Sequence, residues 1–204
     1  FGYFTHAVAV TCALALMLAL AARHVIEDSH SGPQAEKRPM RLPRVAAIYL
    51  VGAVALFAMI PEGAVLDWGA LYLRQDRGAS IATAGLGFAC FAGAMALLRF
   101  AGDRVRNRFG AVATMRVSCL IAAAGILGAG LAPWPWLVIC AFALAGIGIA
   151  NIVPIAFSAA GNQPGISAST GMSVVTTIGY SGILLAPSAI GFAAEHVGFA
   201  LVYV

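Results

Sequence analysis

Long runs of apolar residues without a single charged side chain are the feature that most constrains this fold. Residues 1–22, 45–61, 78–98 and 117–194 contain no Asp, Glu, Lys or Arg. A helix of about 20 mainly apolar residues crosses the hydrocarbon core of a bilayer, which is about 30 Å thick. Charged residues make up only 10% of the 204-residue chain, against about 25% in soluble domains. The sequence therefore predicts an integral membrane protein and excludes a soluble enzyme, a disordered chain and a secreted disulfide scaffold.

Turn-forming residues divide these runs into six membrane-spanning helices and the start of a seventh. Proline and glycine clusters at 133–135 and 161–165 mark two of the turns, because these residues interrupt regular structure. Pro61 is expected to break the second helix, since proline removes one backbone hydrogen bond. The predicted fold is an all-α, polytopic membrane helical bundle. Its expected spans are residues 1–22, 45–73, 78–98, 112–132, 136–159 and 168–193, with a further segment from 199.

The distribution of basic residues predicts the orientation of the spans. Two connections, residues 23–44 and 99–116, hold ten of the twelve Lys and Arg residues, and the remaining two are Arg74 and Arg77. Basic residues collect on the cytoplasmic side of membrane proteins. We therefore expect both basic connections to be cytoplasmic and Arg77 to lie outside. This explanation also accounts for the net charge of +4 without a nucleic-acid partner.

Stripes of small residues indicate where helices approach one another. Such residues let helix backbones come close in a membrane. Two stripes have a spacing of four residues: Gly85, Ala89 and Gly93, and Ala124, Gly128 and Ala132.

No enzyme signature is complete in this sequence. There is no Walker A sequence, no HExxH, no GxSxG and no full GxGxxG. We predict no catalytic residue, no metal site, no cofactor and no enzymatic activity. A membrane-embedded enzyme stays open as a less favoured alternative. It would need an acid pair or ligand set at one depth, and only Glu62 and Asp67 approach that.

Polar residues inside the apolar spans are candidates for a substrate or proton pathway, because they are costly in a membrane. Glu62 follows Pro61 and is the deepest acid, so it is a candidate proton carrier or substrate contact. Asp67 and the adjacent Trp68 are candidates in the same segment. The alternatives are that Glu62 caps a restarted helix and that Asp67 is an interfacial residue. Asp67 lies about 140° from Glu62 around a helix, so the two share a face only if the chain breaks at Pro61.

Two further polar stripes have helical spacing. Asn151 lies on one face with Pro154 and Ser158, and Pro154 frees a backbone carbonyl there. Thr177 and Tyr180 belong to a hydroxyl-rich stripe in the last long span. These side chains are candidates for a cavity wall, although Ser and Thr also form ordinary hydrogen bonds between membrane helices.

Three segments resemble the major facilitator superfamily of secondary transporters, in particular its fucose-permease-like bacterial branch. They are EGAVLDWGALYL from residue 62, GDRVRNRFG from residue 102 and IANIVPIAFSAAG from residue 149. The resemblance implies that residues 1–22 are transmembrane helix 6 and that 23–44 form the central cytoplasmic loop. Residues 45–204 would be the C-terminal bundle of helices 7 to 12, with the last truncated. The first five helices would lie outside this chain.

The resemblance also implies a gate at the cytoplasmic loop after the third span. Asp103, Arg104 and Arg108 match the acid and two bases that brace this gate in the family. Arg99 and Arg106 stand where the family has glycines.

The function implied is secondary active transport of a small polar solute by alternating access, either of a sugar-like solute or as drug or metabolite efflux. The expected partners are the lipid bilayer, a small-molecule substrate with or without a coupled proton, and the N-terminal half of the same transporter. The expected location is the bacterial inner membrane. The alternative is a non-transporting membrane sensor or assembly protein with the same fold.

Overall fold

The computed structural model describes residues 3–22, 43 and 45–204. It divides into two compact units, Phe1–Leu42 and Pro43–Val204. Every regular element in the described residues is a helix, which confirms the predicted all-α fold class. The predicted central loop at residues 23–44 lies outside the described residues, apart from Pro43.

The described residues of the first unit form one helix, α1 (Tyr3–Ala22). It is 20 residues long, or about 30 Å at 1.5 Å per residue. Most residues over Val8–Leu20 are apolar, and the side chains of all of them are exposed. A helix that is apolar all round is stable only in an apolar environment, which agrees with the membrane helix predicted for residues 1–22.

Over residues 45–204, the second unit contains seven helices. They provide five spans that are long and apolar enough to cross a membrane. The spans are α2, α3, α4, the pair α5 and α6, and α7. The bounds are α2 (Ala46–Gln75), α3 (Ile81–Phe109), α4 (Ala111–Leu131), α5 (Pro135–Ile149), α6 (Ile152–Gly161), α7 (Ala168–Val197) and α8 (Phe199–Val202). Successive spans run in opposite directions, so the bundle has a Gly110 end and an Arg77 end.

Pro61 does not break α2, contrary to the sequence prediction. The helix is continuous over 30 residues with Pro61 inside it. A proline removes one backbone hydrogen bond, and neighbouring helices compensate for such a loss in membrane proteins. Gly182 of α7 packs against the preceding turn, where its Cβ position lies 3.1 Å from Ile60. Tertiary packing therefore accompanies a helix that stays continuous through the proline.

The predicted connection at residues 99–110 is also helical rather than a loop. Helix α3 continues to Phe109, and only Gly110 separates it from α4. Gly110 has a φ of +81°, a conformation that glycine adopts without a steric penalty. The last turn of α3 contains Arg106 and Arg108, and cations stabilise helix C-termini. The two arginines therefore stabilise the end of α3 in a segment where we expected a loop.

The single span predicted at 136–159 is interrupted. Helix α5 ends at Ile149 and α6 starts at Ile152, so the helix breaks at Ala150 and Asn151. The cause is Pro154, which cannot donate a hydrogen bond to the carbonyl of Ala150 four residues earlier. This break leaves the buried carbonyl of Ala150 without a partner in its own helix.

Helix α5 packs very closely between α3 and α4. A Cβ atom at Gly148 would lie 2.6 Å from the Cα of Ala122 on α4, and one at Gly146 would lie 3.3 Å from the carbonyl carbon of Phe91 on α3. In the predicted stripe on α3, by contrast, neither Gly85 nor Gly93 has a neighbour within 4 Å of its Cβ position. The closest approach is therefore made by Gly146 and Gly148 and not by the predicted α3 stripe, whereas Gly128 of the predicted α4 stripe does face α5, with its Cβ position 3.6 Å from the Cβ of Ala141.

An aromatic and hydrogen-bonded cluster joins the helices at the Arg77 end. Arg77 donates to the Tyr72 hydroxyl at 3.1 Å and to the Gly130 carbonyl at 3.0 Å. Tyr203 stacks on Tyr72 at 5.1 Å between ring centroids and donates to the Ala64 carbonyl at 2.8 Å. These contacts tie α2, α4 and the α8 segment together.

Candidate functional site

An ion pair lies near the middle of the apolar spans. Arg99 Nη2 of α3 is 3.3 Å from Glu62 Oε1 of α2. Glu62 is about 24 Å from the start of α2 and about 20 Å from its end, at 1.5 Å per residue. The Glu62 side chain is 14% exposed and the Arg99 side chain 43% exposed. Ionisable groups at this depth are costly and commonly mark a substrate or ion pathway.

Arg99 also binds the carbonyl that Pro154 leaves free. Its Nε donates to the Ala150 oxygen, with the two atoms 3.4 Å apart. The arginine therefore connects α2 and α3 with the helix break between α5 and α6. A guanidinium has five N–H donors, so Arg99 retains donors for a further partner.

Asn151 completes the wall of this site. Its side chain is 6% exposed, and its Oδ1 packs directly over Gly102, where a Cβ atom would collide with it. Gly102 lies one turn beyond Arg99 on α3. The helix break and α3 are therefore in close contact immediately beside the ion pair.

A polar face of α3 leads from the ion pair toward the Gly110 end. It consists of Arg99, Asp103 and Arg106, which recur at the spacing of one helix face. Arg106 Nη2 is 3.1 Å from Asp103 Oδ1. These residues line a cavity of about 150 Å³ together with Asn151 and Pro154. The signs of the charges alternate from Glu62 on α2 through Arg99 and Asp103 to Arg106 on α3.

Asp67 and Trp68 do not join this site. Asp67 is exposed on α2, and because the helix is continuous its carboxylate does not share a face with Glu62. Trp68 stacks on Phe199 at 5.6 Å between ring centroids and packs against Gly191. Its Nε1 is buried and has no hydrogen-bond partner in the described part of the chain.

Thr177 and Tyr180 form a separate polar surface on α7. Both side chains are exposed. The Thr177 hydroxyl donates to the Ser173 carbonyl at 2.8 Å within its own helix. Over residues 45–204, no hydrogen bond or ion pair connects either residue with Glu62 or Arg99.

The three residues assigned to the gate are also placed apart. Asp103 pairs with Arg106, one of the residues that replaces a glycine of the family pattern. Arg104 is exposed, and the Arg108 guanidinium lies 5.6 Å from the ring centre of Phe109. The structure therefore brings Asp103 to the polar face of α3, whereas Arg104 and Arg108 point elsewhere.

Sequence reasoning missed the role of Arg99, which it assigned to a basic connection. One signal for a different role was present. Arg99 follows an apolar stretch of 21 uncharged residues without a turn residue immediately before it, so nothing in the sequence ended the helix at that point. Its partner Glu62 and the nearby Asn151 were both selected from the sequence as candidate site residues, although the break in the helix at Asn151 was not predicted.

Comparison with known proteins identifies the family. The family model described as Major Facilitator Superfamily matches residues 2–203. The chain belongs to the Major Facilitator Superfamily. This membership and the apolar spans make it a multi-pass membrane protein, as the sequence predicted.

Three curated relatives support the assignment to the Major Facilitator Superfamily. An uncharacterized MFS-type transporter of Yersinia pestis is 38% identical over 193 residues, which are 93% of this chain and 49% of the relative. The membrane protein MosC of Rhizobium meliloti is 33% identical over 86% of this chain and 42% of its own length. The uncharacterized transporter y4wD of Sinorhizobium fredii is 35% identical over 74% of this chain and 40% of its own length. The chain thus spans about half the length, or less, of these relatives.

Proposed function

We propose that this chain is the C-terminal half, with the preceding helix, of a secondary transporter that moves a small polar solute by alternating access. In this proposal α1 is transmembrane helix 6, residues 23–44 are the central cytoplasmic loop, and α2 to α8 form helices 7 to 12. The transporter lies in the bacterial inner membrane and belongs to the fucose-permease-like branch. Its partners are the N-terminal half, the solute and, where coupling occurs, a proton.

The Glu62–Arg99 ion pair carries this proposal. Removing two charges from water is costly, and a structural pair is often replaceable by apolar residues without loss of stability. Arg99 is half-exposed and retains free donors, and Glu62 has a second carboxylate oxygen. Both residues can therefore exchange their mutual contact for a contact with a polar solute. The carboxylate can also bind a proton when the contact is broken.

The polar face of α3 supports a route between the ion pair and the Gly110 end. Its cavity contains charged groups of both signs and a proline-induced break. Helices that are broken at a site of ion or substrate binding are common in secondary transporters. The other candidates lie on other faces of the helices: Asp67, Trp68, Thr177 and Tyr180. We propose that they contact the solute only in a different conformation, or where the N-terminal half packs against these faces.

Flux through the full-length protein tests the proposed function. The protein is reconstituted into liposomes and screened for counterflow of labelled sugars, organic acids and cationic drugs. A solute that exchanges across the membrane supports a carrier. Binding of a solute without any exchange would instead indicate the sensor or assembly protein, and conversion of a solute would indicate the membrane-embedded enzyme.

Asp103→Asn is expected to lower flux by about two- to fivefold, which matches the small energy of an exposed ion pair. The Asp103 side chain is 86% exposed, so its loss has little effect on folding. It affects flux because the bond to Arg106 stabilises one conformation more than another, and only such a difference shifts a population. The measurement is the initial rate of counterflow. Glu195→Gln, at an exposed acid of α7, is the matched control, and equal rates for both variants would show that the Asp103–Arg106 pair has no part in gating.

A further inference from the structure

A second, larger cleft lies between α3, α4 and α5 at the Gly110 end. Its volume is about 380 Å³, within the usual range for ligand sites. The rim is exposed, since Phe109 is 62% and Val117 55% exposed. The wall is almost wholly apolar. The apolar residues in it are Leu98, Val105, Phe109, Ala113, Val117, Ile121 and Ile147.

The floor of this cleft is polar. Three polar side chains are buried in the described residues, namely Thr114, Ser118 and Asn151, and all three line the cleft. Thr114 is 5% exposed, and its hydroxyl has no hydrogen-bond partner within residues 45–204. Burying a hydroxyl without a hydrogen bond is costly. The cleft therefore offers a buried donor to a ligand that carries an acceptor.

The mouth of the cleft is positively charged. The Arg108 guanidinium lies 5.6 Å from the ring centre of Phe109, which is part of the rim. Arg104 is one turn earlier on the same helix face, and both arginines are exposed. Neither forms an ion pair in the described part of the chain, where the nearby acid Asp103 pairs with Arg106. The Arg108 guanidinium thus places an unneutralised cation beside the rim of the cleft, and Arg104 lies one helical turn away from it.

We propose that this cleft binds an anionic phospholipid. Three kinds of group follow one another along the bundle axis: apolar side chains around Ile121, the Thr114 hydroxyl and Arg108 in the last turn of α3. Ile121 is about 15 Å and Thr114 about 5 Å from the start of α4, at 1.5 Å per residue. A phospholipid presents its acyl chain, ester and phosphate in the same order. The acyl chain occupies the apolar wall, an ester carbonyl accepts from Thr114, and the phosphate binds Arg108. This proposal requires a membrane location but does not depend on solute transport.

Native mass spectrometry of the full-length protein in detergent tests the charge part of the proposal. Phosphatidylglycerol and phosphatidylcholine with identical acyl chains are compared as probes. Phosphatidylglycerol is expected to bind at least about fivefold more tightly, because each arginine near an anionic headgroup contributes about that factor. Arg104→Gln combined with Arg108→Gln is expected to abolish this preference. Arg74→Gln, at an exposed arginine near the opposite end of the bundle, is the matched control and should retain it.

The ester contact is tested with a diether phosphatidylglycerol, which lacks the carbonyl acceptors. Thr114→Val keeps the shape of the side chain. It should weaken the binding of the diester lipid by about two- to fivefold, the usual effect of one hydrogen bond. It should leave the diether lipid unchanged. Equal binding of phosphatidylglycerol and phosphatidylcholine by the parent protein would overturn the proposal, and so would a preference that survives the double arginine variant. The comparisons of phosphatidylglycerol with phosphatidylcholine and of the diester with the diether lipid need only the parent protein. They therefore test the proposed lipid site even if a variant fails to fold.

Discussion

Arg99→Gln is expected to lower solute transport by about tenfold or more, the effect of losing one hydrogen bond between charged groups. Arg99 joins Glu62 at 3.3 Å and the Ala150 carbonyl at 3.4 Å, so its loss leaves a carboxylate and a free carbonyl without their partner. An acid without a countercharge is costly inside an apolar span. Initial rates of counterflow in proteoliposomes measure the effect. Arg116→Gln, at an exposed arginine of α4, is the control for a simple loss of charge.

Combining Arg99→Gln with Glu62→Gln separates a structural role from a functional one. The double variant has no unpaired charge, so its thermal stability is expected to return close to that of the parent protein. If the pair only holds the helices together, transport should return with stability. We expect stability to recover and transport to remain low. Recovery of both would show that the pair is structural.

Gly148→Val is expected to destabilise the second unit by about 3 kcal/mol or more, the upper part of the range for overpacked sites. A Cβ atom at this position would lie 2.6 Å from the Cα of Ala122. Backbone atoms cannot rotate away as a side chain can, so α4 and α5 must separate. The corresponding fall in Tm is about 10 °C for a protein of this size. Thermal unfolding of the purified protein, followed by circular dichroism, measures it.

Gly85→Val is the matched control for this prediction. The substitution is the same and also lies within an apolar helix, but Gly85 has no neighbour within 4 Å of its Cβ position. Its Tm should stay within about 3 °C of the parent value, as for substitutions away from packed sites. If Gly148→Val melts like Gly85→Val, the close approach of α4 and α5 is wrong.

Local sequence features predicted the spans well, because the position of an apolar run depends on the cost of placing charges in a membrane. The same reasoning failed where tertiary packing compensates for a local defect. Pro61 was expected to break α2, but the helix is continuous, and α7 packs closely against the preceding turn at Gly182. Pro154 does interrupt its span, and there the freed carbonyl is bound by Arg99. Whether a proline breaks a helix thus depended on contacts that the sequence does not specify.

The candidate site was partly predictable for the same reason. Glu62 and Asn151 were selected because polar groups deep in an apolar span are expensive. Arg99 was assigned to a cytoplasmic connection because the positive-inside rule counts arginines without regard to helix ends. Only the helical continuation of α3 to Phe109 places Arg99 opposite Glu62. Similarly, the spacing of small residues selected Gly85 and Gly93, whereas contacts between distant segments determine that Gly146 and Gly148 are the packed positions.

We propose that the Glu62–Arg99 pair lies on the pathway of the solute or its coupled proton. Glu62→Gln tests it most directly, because glutamine keeps the shape and most hydrogen bonding of the side chain but cannot bind and release a proton. The full-length variant is compared with the parent protein in proteoliposomes, for counterflow of a transported solute and for its accumulation against a pH gradient. A proton carrier predicts normal counterflow without accumulation, and a solute contact predicts that both are weakened. If the variant matches the parent in counterflow and in accumulation, the pair does not lie on the pathway and the account is contradicted.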